Sequence, residues 1–141
     1  MRRAAAAVSV LALAACGGAS GGAQGTSTTS PAQAKSAIAS TWTTFFSAST
    51  PLSTEISLLQ NGNRHEAQIQ ALHKQMPADL SARVVSVAVS NGQATVTYDL
   101  ISNGQPLLSS HSTGKAVLVA GRWLVSEGTF CSLVTLAGSS C

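Results

Sequence analysis

Charge is scarce in this sequence: 9% of its 141 residues are Asp, Glu, Lys or Arg. Arg2 and Arg3 fall in a leading segment read below as removable, which leaves six basic against five acidic side chains. No Lys/Arg run remains, so no nucleic acid and no anionic membrane surface is indicated by charge. Catalytic and metal patterns are lacking as well. His65-Glu66 opens the zinc motif H-E-x-x-H, but Ile69 stands where the second histidine should be. His73 is rotated about 80° from His65 around a helix, poor geometry for a shared metal. Gly18-Ala19-Ser20-Gly21-Gly22 has the letters of a G-x-S-x-G nucleophile elbow without the strand before it or the helix after it. No metal, no cofactor and no catalytic residue is assigned.

What is present at the start is an address. Met1-Arg2-Arg3 is a positive n-region, and residues 4–15 form an apolar run too short to span a bilayer. Leu13-Ala14-Ala15-Cys16 resembles a bacterial lipobox, in which the cysteine thiol accepts diacylglycerol and the chain is cut before it. The expectation is a signal peptide at 1–15 and lipidation at Cys16, with ordinary secretion as the alternative. Each buried CH₂ of an acyl chain adds about 0.8 kcal/mol of membrane affinity, so two or three chains make a stable anchor. Residues 16–30, mostly Gly, Ser and Thr after the cysteine, read as a flexible tether spanning about 20 Å. Residues 31–141 then leave room for one domain.

The domain opens with helices. Ser30 is a cap, Pro31 suits the first helical position, and Gln33 completes a capping box. Ile38, Trp42, Phe45 and Phe46 follow as one apolar stripe, read as core. A shorter helix after Pro51 carries Leu52, Ile56 and Leu59 inward and stops at Asn61-Gly62. A third is predicted with Asn63 as its cap and His65, Ile69, Leu72 and Met76 on one face, ended by Pro77. His65 is expected at the rim of that face and His73 in solvent.

Strands follow. Residues 83–90 place Val85, Val87 and Val89 on one side, and residues 93–102 place Ala94, Val96, Tyr98 and Leu100 on one face. Asn91-Gly92 and Asn103-Gly104 are type I′ hairpin signals. Residues 105–120 read as one long strand bent at 109–114, with two shorter strands as the less favoured reading. Ala120-Gly121 turns the chain into a last strand over 122–131. Exported cysteines meet an oxidising compartment, so with Cys16 committed to lipid, Cys131 and Cys141 are expected to pair. That bridge would pin the tail to the final strand and contribute about 2.5–3 kcal/mol.

Phe45-Phe46, Leu58-Leu59-Gln60-Asn61-Gly62, Ala94-Thr95-Val96-Thr97-Tyr98, Gly121-Arg122-Trp123-Leu124-Val125-Ser126 and Thr129-Phe130-Cys131 form a combination. It resembles a group of actinobacterial lipoproteins similar to the C-terminal domain of the mycobacterial low-molecular-weight secreted antigen, over residues 34–141. The resemblance implies a cystatin-like or nuclear-transport-factor-like cone, an α+β fold with N-terminal helices on a curved antiparallel sheet of about four strands. It supplies no catalytic residues.

The functional expectation is a non-catalytic envelope lipoprotein, exported and held on the outer face of the membrane by lipid at Cys16. Its cone would bind an envelope protein or an apolar small molecule in a cavity lined by Trp42, Phe46, Tyr98 and Trp123. The alternatives are an isomerase- or hydrolase-type enzyme using Tyr98, Asp99 or His111, and a purely structural or antigenic surface module. Tyr98 and Asp99 are adjacent on one strand and face opposite sides, so at most one can enter the cavity. The default for Asp99 is a solvent-facing side chain, and for His111 a place in a polar bend.

Overall fold

A computed structural model describes residues 29–141. The expected signal peptide, Cys16 and nearly all of the tether lie outside the described residues. Helix α1 (Pro31–Phe45) begins where its sequence says it should. Ser30 Oγ accepts from the Gln33 N–H at 3.2 Å, and Gln33 Oε1 accepts from the Ser30 N–H at 3.0 Å. Its stripe of Ile38, Trp42, Phe45 and Phe46 is buried throughout. Each such side chain stabilises the fold by about 1.5–3 kcal/mol.

Helix α2 (Leu52–Leu58) and α3 (Glu66–Gln75) are joined through a 3₁₀ turn at Gly62–Arg64. Asn63 lies inside that turn and caps nothing. His65 is the residue flanking α3, and its side chain makes no capping bond. The turn forms because Asn61 takes a left-handed φ of 58° and Gly62 comes close to the Ile56 carbonyl, where no side chain would fit.

Five antiparallel strands make the sheet, four of them in the order β1 (Ser81–Ser90), β2 (Gln93–Ser102), β4 (Ser112–Val119), β5 (Arg122–Val125). A two-residue β3 (Gln105–Pro106) pairs only with β2. The stretch 105–120 is therefore two strands, not one bent strand. After Pro106 the chain leaves the ladder through Leu107 and Leu108 and returns at Ser112, so a polar run that could have bulged instead forms a loop. Three tight turns carry positive φ at both central residues: Asn91-Gly92, Asn103-Gly104 and Ala120-Gly121. The Asp79 carboxylate also accepts from the Ser102 hydroxyl and the Asn103 N–H at the second turn.

A bulge between Val84 and Ser86 corrects the expected inward set of β1. Ala82, Val84, Val87 and Val89 pair with Leu100, Tyr98, Val96 and Ala94, while Val85 is turned out at 48% exposure. The extra residue lets the apolar side chains on either side of it share one face.

The last element departs furthest from expectation. The strand ends at Val125, and helix α4 (Glu127–Leu136) follows. Ser126 caps it, its Oγ accepting from the Thr129 N–H at 3.2 Å, and Phe130 and Val134 turn into the core one turn apart. Cys131 thus sits on a helix, and its disulfide to Cys141 ties the tail to α4 rather than to a strand. The result is an α+β fold with helices packed on one antiparallel sheet: α1 lies against β1 and β5. Thr41 Oγ1 donates to the Trp123 carbonyl across that contact at 3.0 Å. Among the described residues no helix is long and apolar enough to cross a membrane.

Candidate functional site

The four residues expected to line a cavity are all buried in the core, and they do not surround one common space. Trp42, Phe46 and Tyr98 are all but inaccessible and stand ring against ring, with centroids 6.4, 6.0 and 5.3 Å apart. Phe46 stacks on Tyr98 at an interplanar angle of 19°. Aromatic rings at these separations gain both area burial and quadrupole attraction, and here they fill the space between α1 and the sheet. Trp123 is buried in the same core and also lines a separate shallow depression with Thr41 and Arg122.

The apolar space lies outside that core, along α4. One depression of 230 Å³ lies between the end of α3 and the β3 loop, with Leu72, Met76, Leu80, Leu100, Leu107 and Leu133 around it. Leu100 and Leu133 also line a larger one of 490 Å³, which runs past Leu108 and Leu136 to Ser112, Lys115, Ser126 and Thr129. A third, of 380 Å³, adjoins the first through Leu72, Gln75 and Ala137. The three depressions thus follow one another along α4 as a trough, each sharing wall residues with the next. Tyr98 is among the residues around the larger depression and Phe46 among those around the first. The trough's rim carries three exposed leucines close together, Leu107 at 48%, Leu108 at 53% and Leu136 at 82%. The sequence pattern does not show this site, because it carries the last strand on to Cys131, assigns nothing to 133–137 and runs a bent strand through 107–111.

Three carboxylates, Glu55, Asp99 and Glu127, are paired with basic side chains. All three histidines bond a carboxylate: His65 Nε2 to Glu127 Oε1 at 2.5 Å, His73 Nδ1 to Glu55 Oε1 at 3.0 Å, and His111 Nδ1 to Asp99 Oδ1 at 2.6 Å. His73 is therefore not a free solvent-facing side chain. Nor does Asp99 face solvent: it is 5% exposed, with Arg83 Nη2 donating to its other oxygen at 2.7 Å. The Arg83 bond first, and then the His111 bond, hold the Asp99 carboxyl below the usual carboxylate range. Burial does the opposite to Glu55, raising its carboxyl above that range against the pull of His73. Burial also pushes the Tyr98 phenol up to about 12. Tyr98 and Asp99 lie on opposite faces of β2, so Tyr98, Asp99 and His111 do not converge on one point.

Helices laid on one face of an antiparallel sheet, with an apolar trough beside the last helix, define a small α+β domain. The chain belongs to the family described as low molecular weight antigen MTB12, C-terminal domain, whose family model matches residues 31–141. That match covers nearly the whole described chain and agrees with the resemblance carried by Phe45-Phe46 and residues 121–126. No curated protein and no solved structure gave a match.

Proposed function

We propose that this protein is a non-catalytic envelope lipoprotein, anchored to the outer face of the cell membrane by lipid on Cys16, whose domain holds an apolar chain in the trough along α4. The observation that carries the reading is that Leu100 and Leu133 wall both the depression at Met76 and Leu107 and the one that reaches Lys115. An amphiphile would lay its chain on Leu100 and Leu133 and set its polar head beside Ser112, Thr129 and Lys115. The combined size of the depressions suits a single acyl-chain molecule better than a folded partner, which would need a flatter and larger surface.

The non-catalytic part of the reading is supported by Tyr98 and Asp99 facing opposite sides of β2, so that Tyr98 does not join Asp99 and His111 in one acid/base set. The lipoprotein part is supported by the sequence of the first 16 residues. It is tested by the intact mass of protein recovered from native membranes: a diacylated or triacylated Cys16 is expected at the N-terminus. An unmodified thiol there would remove the anchor. Organic extraction of the same material tests the trough, with one bound amphiphile per chain expected and an empty extract counting against it.

A further inference from the structure

The disulfide sits beside a histidine that has one nitrogen idle. A ring nitrogen of His65 and the sulfurs of Cys131 and Cys141 all lie within 4.8 Å of one another. Glu127, one helical turn before Cys131, accepts from His65 Nε2 and is itself held by Asn61 Nδ2 at 2.9 Å. The bond from His65, and next that from Asn61, lower the Glu127 carboxyl, so at neutral pH it is ionised and accepts only. It therefore holds a proton on Nε2, and in the neutral imidazole this puts the lone pair on Nδ1. Nδ1 is buried and has no hydrogen-bond partner. Buried acceptors are nearly always satisfied, and one that is not calls for an explanation. With the disulfide closed, neither sulfur carries a proton to give it. Once the disulfide opens, one does.

We propose that Cys131–Cys141 is a redox-active disulfide that exchanges with an external dithiol, with His65, oriented by Glu127, as the positioning residue that receives the Cys131 sulfur. Cys141 is the exposed half of the bridge and Cys131 the partly buried half. A thiolate of the dithiol attacks Cys141 Sγ, and the S–S bond breaks with its electron pair leaving on Cys131 Sγ. The leaving sulfur takes up the proton released by the attacking thiol and shares it with His65 Nδ1, as a thiol–imidazole or a thiolate–imidazolium pair. The second thiol of the dithiol then loses its proton and attacks its own sulfur in the mixed disulfide. This releases Cys141, which takes that proton, and leaves the reagent as a disulfide. Two electrons and two protons have moved from the dithiol to the two cysteines.

The histidine helps in two ways. A leaving sulfur with a lowered pKa departs faster, and a partner present only in the reduced state shifts the equilibrium toward that state. The chemical class of partner is an extracytoplasmic dithiol protein, for which dithiothreitol is the laboratory probe. The inference does not depend on the trough reading, and only the extracytoplasmic place of the partner rests on the export proposed above.

The test uses the folded, oxidised protein, with a chelator present to exclude adventitious metal. Reduction by dithiothreitol at pH 7 is followed by acid quench, alkylation and mass, in the wild type and in His65→Asn and Glu127→Gln variants. The expected result is reduction at least about tenfold slower in His65→Asn, with a smaller loss in Glu127→Gln. In the reduced wild type, iodoacetamide alkylation of Cys131 is expected to persist to a pH clearly below that for an unperturbed thiol. In His65→Asn that profile should return to the ordinary range. Equal rates and equal pH profiles in the wild type and the variants would overturn the proposal. So would reduction of the wild type no faster than its global unfolding, a measurement that needs no variant.

Discussion

Glu55 and His73 form a pair in which only one partner reaches water. The Glu55 carboxyl is 1% exposed, its Oε1 is 3.0 Å from His73 Nδ1, and its Oε2 has no partner. Burial raises its pKa above the ordinary carboxylate range. A raised carboxyl contributes stability at acid pH, and that contribution is lost as pH rises through the raised value. Glu55→Gln keeps the shape and one hydrogen bond while removing the buried charge. The variant should be neutral to about 2 kcal/mol more stable than wild type at pH 7, with the difference shrinking below pH 4. Urea unfolding at the two pH values reads this directly, and a Gln variant clearly less stable at pH 7 would refute it.

Asp99 carries the opposite sign. Its carboxyl is held down by Arg83 and His111, so it contributes stability above the ordinary Asp range that is lost as pH falls through the lowered value. Asp99→Asn should therefore destabilise the protein at pH 7 and flatten the acid limb of the stability curve. Melting temperatures from pH 2 to 7 would show the two curves meeting at the acid end. Parallel curves would mean that the ion pair contributes nothing.

Tyr98 is the sole tyrosine of the chain, so phenolate absorbance reports on it alone. Its midpoint in the folded protein is expected near 12, pushed there by burial against Phe46 and Trp42. Because the value is raised, the linked stability is intact below about pH 10 and lost as pH climbs through the folded value. A reversible midpoint near the unperturbed value, with the fold retained, would mean that the phenol is open to water.

Gly62 tests the 3₁₀ turn. A Cβ there would strike the Ile56 carbonyl, which is backbone and cannot step aside. Gly62→Ala should cost about 3 kcal/mol or more, or leave no folded protein. By contrast, Gly121→Ala meets open space and should cost only the strain of its positive φ, about 1–2 kcal/mol. Chemical denaturation of the two variants checks the order, and equal losses would contradict it.

Elements defined by local chemistry were legible in the sequence. The capping box at Ser30 and the turns at Asn91-Gly92 and Asn103-Gly104 are set within four residues, and all formed as read. Helix α4 was not legible, because Trp123-Leu124-Val125 alternates like a strand and Gly128 weakens the helical signal after it. What makes it a helix is the Ser126 cap together with burial of Phe130 against Phe45 and His65, partners far away in the sequence. The carboxylate–histidine pairs span 62, 18 and 12 positions, so no local pattern announces them. Glu55 was hidden for the opposite reason: an acidic residue on an amphipathic helix is assigned to solvent by default, and here it faces inward.

The trough is the centre of the functional account, and titration with a fluorescent long-chain fatty acid tests it most directly. Wild type should bind one equivalent saturably, and a Leu108→Asp/Leu136→Asp variant, altered only at exposed rim positions, should lose about tenfold or more in affinity while keeping its melting temperature. Absence of saturable binding by wild type, or equal affinity in the variant, would contradict the account.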